Sequence, residues 1–220
     1  MQTEFIGPIL FFLIQLTIPA IDSNTVHVNR LSSEKISLEK RHSEKAVNEV
    51  FKDNILLNLA YLNGKVKKKD EINWDEVKKP FSYKFFLLSK QTFAFHEDVL
   101  PKYKGSVVKT TNANFNFGDG FKSDGYLAGD GICHLASLIY WVAKNAKLEV
   151  FAPTNHDFAA IPEISKEYGV SIYKMPGNVN GNALQNLYIT NNKKNSVMFE
   201  FLYRGSDLKF SIYEVTKNSF

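Results

Sequence analysis

The chain has 220 residues, and its content of 44% hydrophobic and 14% aromatic side chains is typical of a folded domain rather than a disordered segment. The 27 basic and 23 acidic residues are interspersed and form no basic and aromatic stripe, so the sequence does not indicate nucleic-acid binding. A single cysteine excludes an intrachain disulfide and a cysteine-based zinc cluster, and nothing else in the sequence implies a metal or another cofactor.

Residues 1–21 contain an apolar run that begins at Phe5 and ends at Ile21. Its length suits the apolar part of a signal peptide and is at the short end for a membrane-spanning helix, and Pro8 and Pro19 make it a poor core helix. We therefore expect residues 1–21 to be a signal-anchor or signal peptide that brings the chain to a membrane. The basic residues follow this run rather than precede it, a distribution that alone favours a cytoplasmic location for the remainder.

Residues 22–70 predict a polar tether followed by an amphipathic helix. Residues 22–42 are mostly polar, whereas apolar residues within the segment 43–63 recur at helical spacing, and Gly64 is suited to the left-handed position that ends a helix. The block 81–96 is rich in aromatic side chains and predicts one or two strands. Aromatic residues at this spacing belong more often to a core than to a ligand platform.

A glycine-rich loop followed by a helix contains the only cysteine. The loop includes Gly129 and Gly131, and apolar residues in the segment 132–146 then repeat every three or four positions. Cys133 falls in the first helical turn, where backbone N–H groups lack intrahelical partners and the helix dipole is positive. Both effects lower the pKa of the thiol and so favour the thiolate. The same N–H groups can hold the oxygen of a tetrahedral intermediate. The alternative is that Cys133 is a small buried apolar residue and that Asp130 only caps the helix.

The chain after this helix predicts mainly β-structure. Residues 148–151 and 167–175 have the pattern of short strands, separated by a turn around residues 153–157. Three later segments with alternating apolar residues predict an antiparallel three-stranded meander at the C-terminus: Leu184–Thr190, Val197–Tyr203 and Leu208–Val215. The sequence therefore predicts an α+β domain, in which a central helix with the cysteine at its N-terminus packs on a mainly antiparallel sheet.

The order of motifs in residues 71–220 carries a resemblance to a known family. Residues 129–140 read Gly-Asp-Gly-Ile-Cys-His-Leu-Ala-Ser-Leu-Ile-Tyr, and a Gly-Tyr pair ending at Tyr126 precedes them. His156 follows in a turn, and the pair Lys166-Glu167 precedes a predicted strand. These features resemble the VanW-like domain of bacterial cell-envelope proteins, whose helix begins with Gly-x-Gly, then Ile or Val, then Cys-Gln-x-Ser-Thr.

Four residues depart from the pattern of this family. His134 follows the cysteine where the family has glutamine, Ala136 stands where it has serine, and Lys166-Glu167 stand where it has an Arg-Asp pair. The cysteine of the motif and the histidine of the following turn remain in place, so the resemblance still implies the same chemistry.

Members of this family resemble cysteine-dependent L,D-transpeptidases of peptidoglycan. The resemblance therefore implies acyl transfer on peptidoglycan stem peptides, by a membrane-anchored or secreted domain of the cell envelope that faces the cell wall. It implies that Cys133 is the nucleophile, His156 its base and Glu167 the carboxylate that orients this base. Alternative carboxylates are Glu163, Asp157 and Asp130. The expected substrate-binding residues are Gly129, Asp130, Gly131, His134, Ser137 and Tyr126.

Two alternatives remain open at this stage. His134 is a rival base because it is next to Cys133, although successive helix residues point about 100° apart and do not readily face each other. The domain can also be a non-catalytic envelope-binding module, or an accessory protein of glycopeptide resistance, that retains the cysteine motif for packing.

Overall fold

The computed structural model describes residues 26–125 and 128–217. The expected signal or anchor segment, residues 1–21, and the expected substrate-binding residue Tyr126 lie outside these residues. Among the described residues, no helix combines the length and the apolar character needed to cross a bilayer.

The described part of the chain forms two four-stranded sheets and four α-helices, which confirms the predicted α+β class. The strands are β1 (Val26–Ser37), β2 (Phe81–Leu87), β3 (Thr92–Ala94), β4 (Val107–Lys109), β5 (Glu149–Phe151), β6 (Tyr188–Thr190), β7 (Ser196–Arg204) and β8 (Asp207–Lys217). The helices are α1 (Lys45–Leu62), α2 (Trp74–Val77), α3 (Ile132–Asn145) and α4 (Val179–Leu184).

The first sheet is antiparallel and has the strand order β1-β8-β7-β2. Its edge strand β1 covers residues that we expected to belong to a polar tether, so that prediction is wrong for residues 26–37. The side chains of β1 are mostly polar and at least partly exposed, and Ile36 is its buried apolar residue. Backbone pairing with β8 holds this strand in the sheet. The strand was not predicted because its sequence lacks the alternation of apolar and polar residues by which a half-buried strand is recognised.

The second sheet has the order β4-β3-β6-β5 and places β6 beside β3 and β5. The predicted C-terminal meander of three strands is therefore wrong, because β7 and β8 are neighbours but β6 belongs to the other sheet. The chain leaves β6 at the buried Asn191, whose side chain donates hydrogen bonds to the carbonyls of Leu87 and Asn195 at 3.0 and 2.9 Å. This amide fixes the path of the chain from one sheet to the next.

The segment 167–175, which we predicted as a strand, forms no sheet ladder. A short 3₁₀ turn at Lys166–Tyr168 is followed by irregular chain. The backbone N–H of Val170 donates to Oγ of Ser137 at 2.9 Å, and that of Ser171 donates to the carbonyl of Thr154 at 3.0 Å. The prediction is therefore wrong, because single hydrogen bonds to α3 and to a neighbouring loop hold this segment in place of a strand partner.

Both long helices match their predicted positions. α1 lies within the predicted segment 43–63, and Gly64 has the positive φ of 76° expected at the end of a helix. α3 contacts α1, β1, β5 and β8, and the apolar residues of its predicted face are buried, among them Leu135, Leu138, Ile139 and Val142. The helix that carries the cysteine is therefore central to the fold.

The start of α3 lies directly against the backbone of α1. Gly131 has a φ of 91°, and a Cβ atom at this position would lie 2.7 Å from the carbonyl oxygen of Phe51. Gly131 is the N-cap residue, whereas Asp130, which we considered as the cap, accepts a hydrogen bond from the backbone N–H of Asp124 at 2.9 Å. A side chain at position 131 would strain the backbone and collide with α1, so this contact requires glycine.

Replacing Gly131 with alanine tests this contact. We expect Gly131→Ala to lower the free energy of unfolding by about 3 kcal/mol or more, because the cost of a left-handed alanine, about 1–2 kcal/mol, adds to a backbone collision. Gly205→Ala is the matched control, since Gly205 has a φ of 62° and no atom within 4 Å of its Cβ position. Urea unfolding measures both variants, and equal losses of stability would contradict the proposed contact.

Candidate active site

A cavity of about 650 Å³ opens at the N-terminus of α3. Six of the expected site residues line it: Gly129, Asp130, Gly131, Cys133, His134 and His156. Much of the remaining wall is apolar and includes Phe51, Phe158, Ala159, Ala160, Pro162, Ile172 and Tyr173. A concave, largely apolar site with a few convergent polar groups is the usual form of a ligand-binding or catalytic site.

The thiol of Cys133 is partly buried and contacts the backbone of Ile172. The N–H of Ile172 lies 3.4 Å from Sγ, and the thiol donates to the carbonyl oxygen of the same residue at 3.6 Å. Burial raises the pKa of Cys133 to about 11, and the nearby carboxylate of Asp130 adds to this rise. The expected lowering of this pKa is wrong, because the cost of burying a thiolate exceeds the stabilisation offered by the helix terminus.

His134 and His156 face the same cavity and are both buried. Their ring centroids are 6.3 Å apart and their planes are nearly perpendicular. Each ring has a buried Nδ1 atom without a hydrogen-bond partner. Burial lowers the pKa of His134 to about 3, with a further contribution from Arg41, and burial also lowers the pKa of His156. Both imidazoles are therefore neutral near pH 7, and the low pKa makes His134 a weak base.

Cys133 lines the same cavity as the two histidines but forms no preformed pair with either. Among the described residues, the hydrogen bonds of the Cys133 thiol go to the backbone of Ile172 and none joins it to His134 or His156. The ring of His156 packs on that of Phe158 with a centroid distance of 4.0 Å, and Phe158 is 78% exposed. The histidine of the turn thus lies under an exposed aromatic side chain at the edge of the cavity.

Two expected site residues lie elsewhere. Glu167 is exposed in the turn Lys166–Tyr168 and does not line the cavity, a position that does not fit the orienting role expected for it. Ser137 is fully buried and also lies outside the cavity wall. Its Oγ atom accepts the hydrogen bond from Val170, so Ser137 fastens the neighbouring segment to α3 instead of contacting a substrate.

The two glycines of the motif are explained by packing. Gly129 has a φ of 92°, and a Cβ atom there would lie 2.9 Å from the carbonyl oxygen of Phe115. Gly131 makes the equivalent contact with Phe51. Both glycines line the cavity, but the close approach that requires them is made by the protein's own backbone.

An ion pair between the buried Arg41 and the exposed Glu163 supports the loop that carries His156. Arg41 is only 1% exposed, and its Nη2 atom pairs with the carboxylate of Glu163, one of the alternative carboxylates named above. The Nε and Nη1 atoms of Arg41 donate to the carbonyls of Ser37 and Pro162 at 2.8 and 3.1 Å. Arg41 thus holds the end of this loop against the end of β1. The sequence carries no signal for this role of Arg41, because the residue lies in the segment predicted to be a tether and belongs to no motif.

Comparisons of the chain with protein-family models, with curated protein sequences and with solved structures found no match. Within residues 26–125 and 128–217, no group of three or more His, Cys, Asp or Glu side chains is arranged to hold a metal ion.

The protonated thiol predicts slow alkylation near neutral pH. In the folded protein, the rate of Cys133 alkylation should rise with pH toward a midpoint near 11, because the thiolate is the reacting form. Iodoacetamide labelling followed by mass spectrometry measures this profile. The urea-unfolded chain is the control and should show a midpoint of about 8.5. A folded-state midpoint below that of the unfolded chain would mean that the helix terminus, not burial, controls the thiol.

Proposed function

We propose that the chain is a cysteine-dependent acyltransferase that acts on peptide amides, with peptidoglycan stem peptides as its substrate class. The observation that carries this proposal is a single cavity lined by Cys133 and by two buried histidines whose Nδ1 atoms have no hydrogen-bond partner. Nucleophilic acyl transfer needs such a thiol and a base within reach of one substrate carbonyl. The substrate class rests on the motif resemblance in residues 129–140.

The proposed reaction starts from a neutral thiol and a neutral imidazole. Sγ of Cys133 attacks the scissile carbonyl while His156 accepts the thiol proton, and the resulting intermediate collapses to a thioester. His156 returns the proton to the departing amine. An acceptor amine then attacks the thioester and gives a proton to His156, and the C–S bond breaks to form the new amide and the Cys133 thiol, which regains this proton from His156. Neutral partners suit this route, because burial disfavours a preformed thiolate and imidazolium pair.

His156 suits the role of base better than His134. His134 lies in α3 directly after Cys133, and its ring packs against Phe51 at a centroid distance of 5.1 Å. His156 approaches the cavity from outside this helix, on a loop that is free of the angular constraint between successive helix residues. Catalytic hydrogen bonds are often absent before substrate binds. We therefore expect the hydrogen bond between Cys133 and His156 to form in the substrate complex.

The backbone at the start of α3 supplies one donor for the negative oxygen of the intermediate. The N–H groups of Ile132 and His134 donate to the carbonyls of Gly129 and Gly131 at 3.1 and 3.0 Å. The backbone of Cys133 itself stabilises negative charge at its own Sγ. We therefore assign the N–H of Cys133 to the oxyanion, which forms next to this sulfur.

A second candidate function is non-catalytic binding of cell-envelope material. The contacts of Sγ with the backbone of Ile172 and the raised pKa of Cys133 are those of a thiol used for packing. In this case the cavity binds a stem peptide, but no thioester forms.

Substitution of the two histidines tests the assignment of the base. His156→Ala should slow thioester formation on a stem tetrapeptide by about 10²–10⁴-fold, the usual cost of losing a general base. His134→Gln restores the residue type of the resembling family and should change the rate by less than about 10-fold. Rapid-quench mass spectrometry measures both rates on variants with unchanged circular dichroism. If His134→Gln greatly slows thioester formation and His156→Ala slows it little, His134 is the base and the assignment to His156 is wrong.

The location of the domain is a separate test of the substrate class. If the chain acts on peptidoglycan, protease added to intact cells with a permeabilised wall should digest the domain, because it faces the wall. A cytoplasmic protein that stays intact under the same treatment is the control. Protection of the domain until the membrane is opened would exclude peptidoglycan as the substrate, in agreement with the basic residues that follow the N-terminal apolar run.

A further inference from the structure

A third buried polar atom without a hydrogen-bond partner lies at the same cavity. Gln185 lines the cavity, and its Oε1 atom is buried and unpartnered, like the Nδ1 atoms of His134 and His156. Oδ1 of Asp53 on α1 pairs with Nζ of Lys78 at 2.8 Å, so among the described residues the other buried unpartnered side-chain atoms belong to Asn58, which does not line this cavity. Unused hydrogen-bonding capacity is therefore concentrated where a ligand would bind.

The backbone of Gln185 is fixed, so its side chain projects from a defined position. Gln185 is the C-cap residue of α4, and its N–H donates to the carbonyl of Asn182 at 2.7 Å. Its own carbonyl accepts from the backbone N–H of Tyr173 at 3.3 Å and contacts Nε2 of the buried His96 at 3.1 Å. These three bonds use the main-chain groups and leave the side-chain amide for another partner.

The same contacts link Gln185 to the nucleophile through one short segment. The backbone of Ile172 touches Sγ of Cys133, and the next residue, Tyr173, bonds to the carbonyl of Gln185. The two-residue segment 172–173 thus connects the thiol on one side with the glutamine on the other. Cys133 and Gln185 also line the same cavity, so a substrate whose carbonyl reaches Cys133 can extend toward this amide.

We propose that Oε1 of Gln185 accepts a hydrogen bond from the backbone N–H of the acyl residue, the residue whose carbonyl Cys133 attacks. An unpartnered buried oxygen needs a donor, and in a peptide the donor nearest to the scissile carbonyl on the acyl side is this N–H. Gln185 then makes the site select peptides and reject analogues that lack the N–H. This inference rests on the proposed function, because it takes Cys133 as the point of attack.

The test measures binding without turnover in the full chain carrying Cys133→Ser. One probe is a synthetic stem tetrapeptide, and the other is its depsipeptide analogue, in which oxygen replaces the N–H of the acyl residue while the scissile amide is unchanged. With Gln185 present, the peptide should bind about 10-fold more tightly by calorimetry, since the analogue leaves a buried acceptor unpaired. With Gln185→Met, the two probes should bind equally within about 2-fold.

Two further variants serve as controls for this comparison. Gln185→Glu retains acceptor oxygens and should retain the preference for the peptide. Gln91→Met is the matched control, because Oε1 of Gln91 accepts from the backbone N–H of Leu88 at 2.8 Å in a turn outside the cavity. It should also retain the preference, and thermal unfolding confirms that each variant is folded.

The outcomes separate this inference from the function on which it rests. A preference that persists in folded Gln185→Met, equal binding of the probes with Gln185 present, or no binding of either probe would overturn the role of Gln185. A preference that depends on Gln185, together with no thioester in the chain that retains Cys133, would support the role of Gln185 and contradict acyl transfer. Thioester formation without the preference for the peptide would support acyl transfer and contradict the role of Gln185.

Discussion

The contact between the backbones of Gly131 and Phe51 is the constraint on which the candidate site depends. It sets the first turn of α3 against α1 at a distance that leaves no room for a Cβ atom. On the other side of the turn, the bond from Val170 to Ser137 and the contact of Ile172 with Sγ attach the segment 170–172 to the same helix. Cys133 is therefore positioned by close packing on two sides before any substrate is present.

Burial also determines the ionisation of the site. It raises the pKa of Cys133 and lowers the pKa values of His134 and His156, so that all three side chains are uncharged near neutral pH. A site of this kind reacts weakly with solvent-borne reagents. The proposed chemistry then depends on a substrate that fills the cavity and brings the thiol and an imidazole together.

The sequence predicted the parts of the structure that carry a strong local signal. Helical spacing located α1 and α3, and the single cysteine in its glycine-rich motif pointed to the region of the cavity. The polar edge strand β1 and the placement of β6 in a second sheet were not predictable, because both depend on pairing between distant segments. Arg41 and Gln185 were missed for a related reason, since their roles arise from the burial that tertiary structure creates.

The most direct test of the central claim is the intact mass of the purified protein after incubation with a peptidoglycan stem tetrapeptide. The account predicts a mass increase equal to the acyl fragment, located on Cys133 by peptide mapping, removed by hydroxylamine and absent in Cys133→Ser. An unchanged mass, in a protein that binds the tetrapeptide under the same conditions, would contradict catalysis and identify the cavity as a binding site.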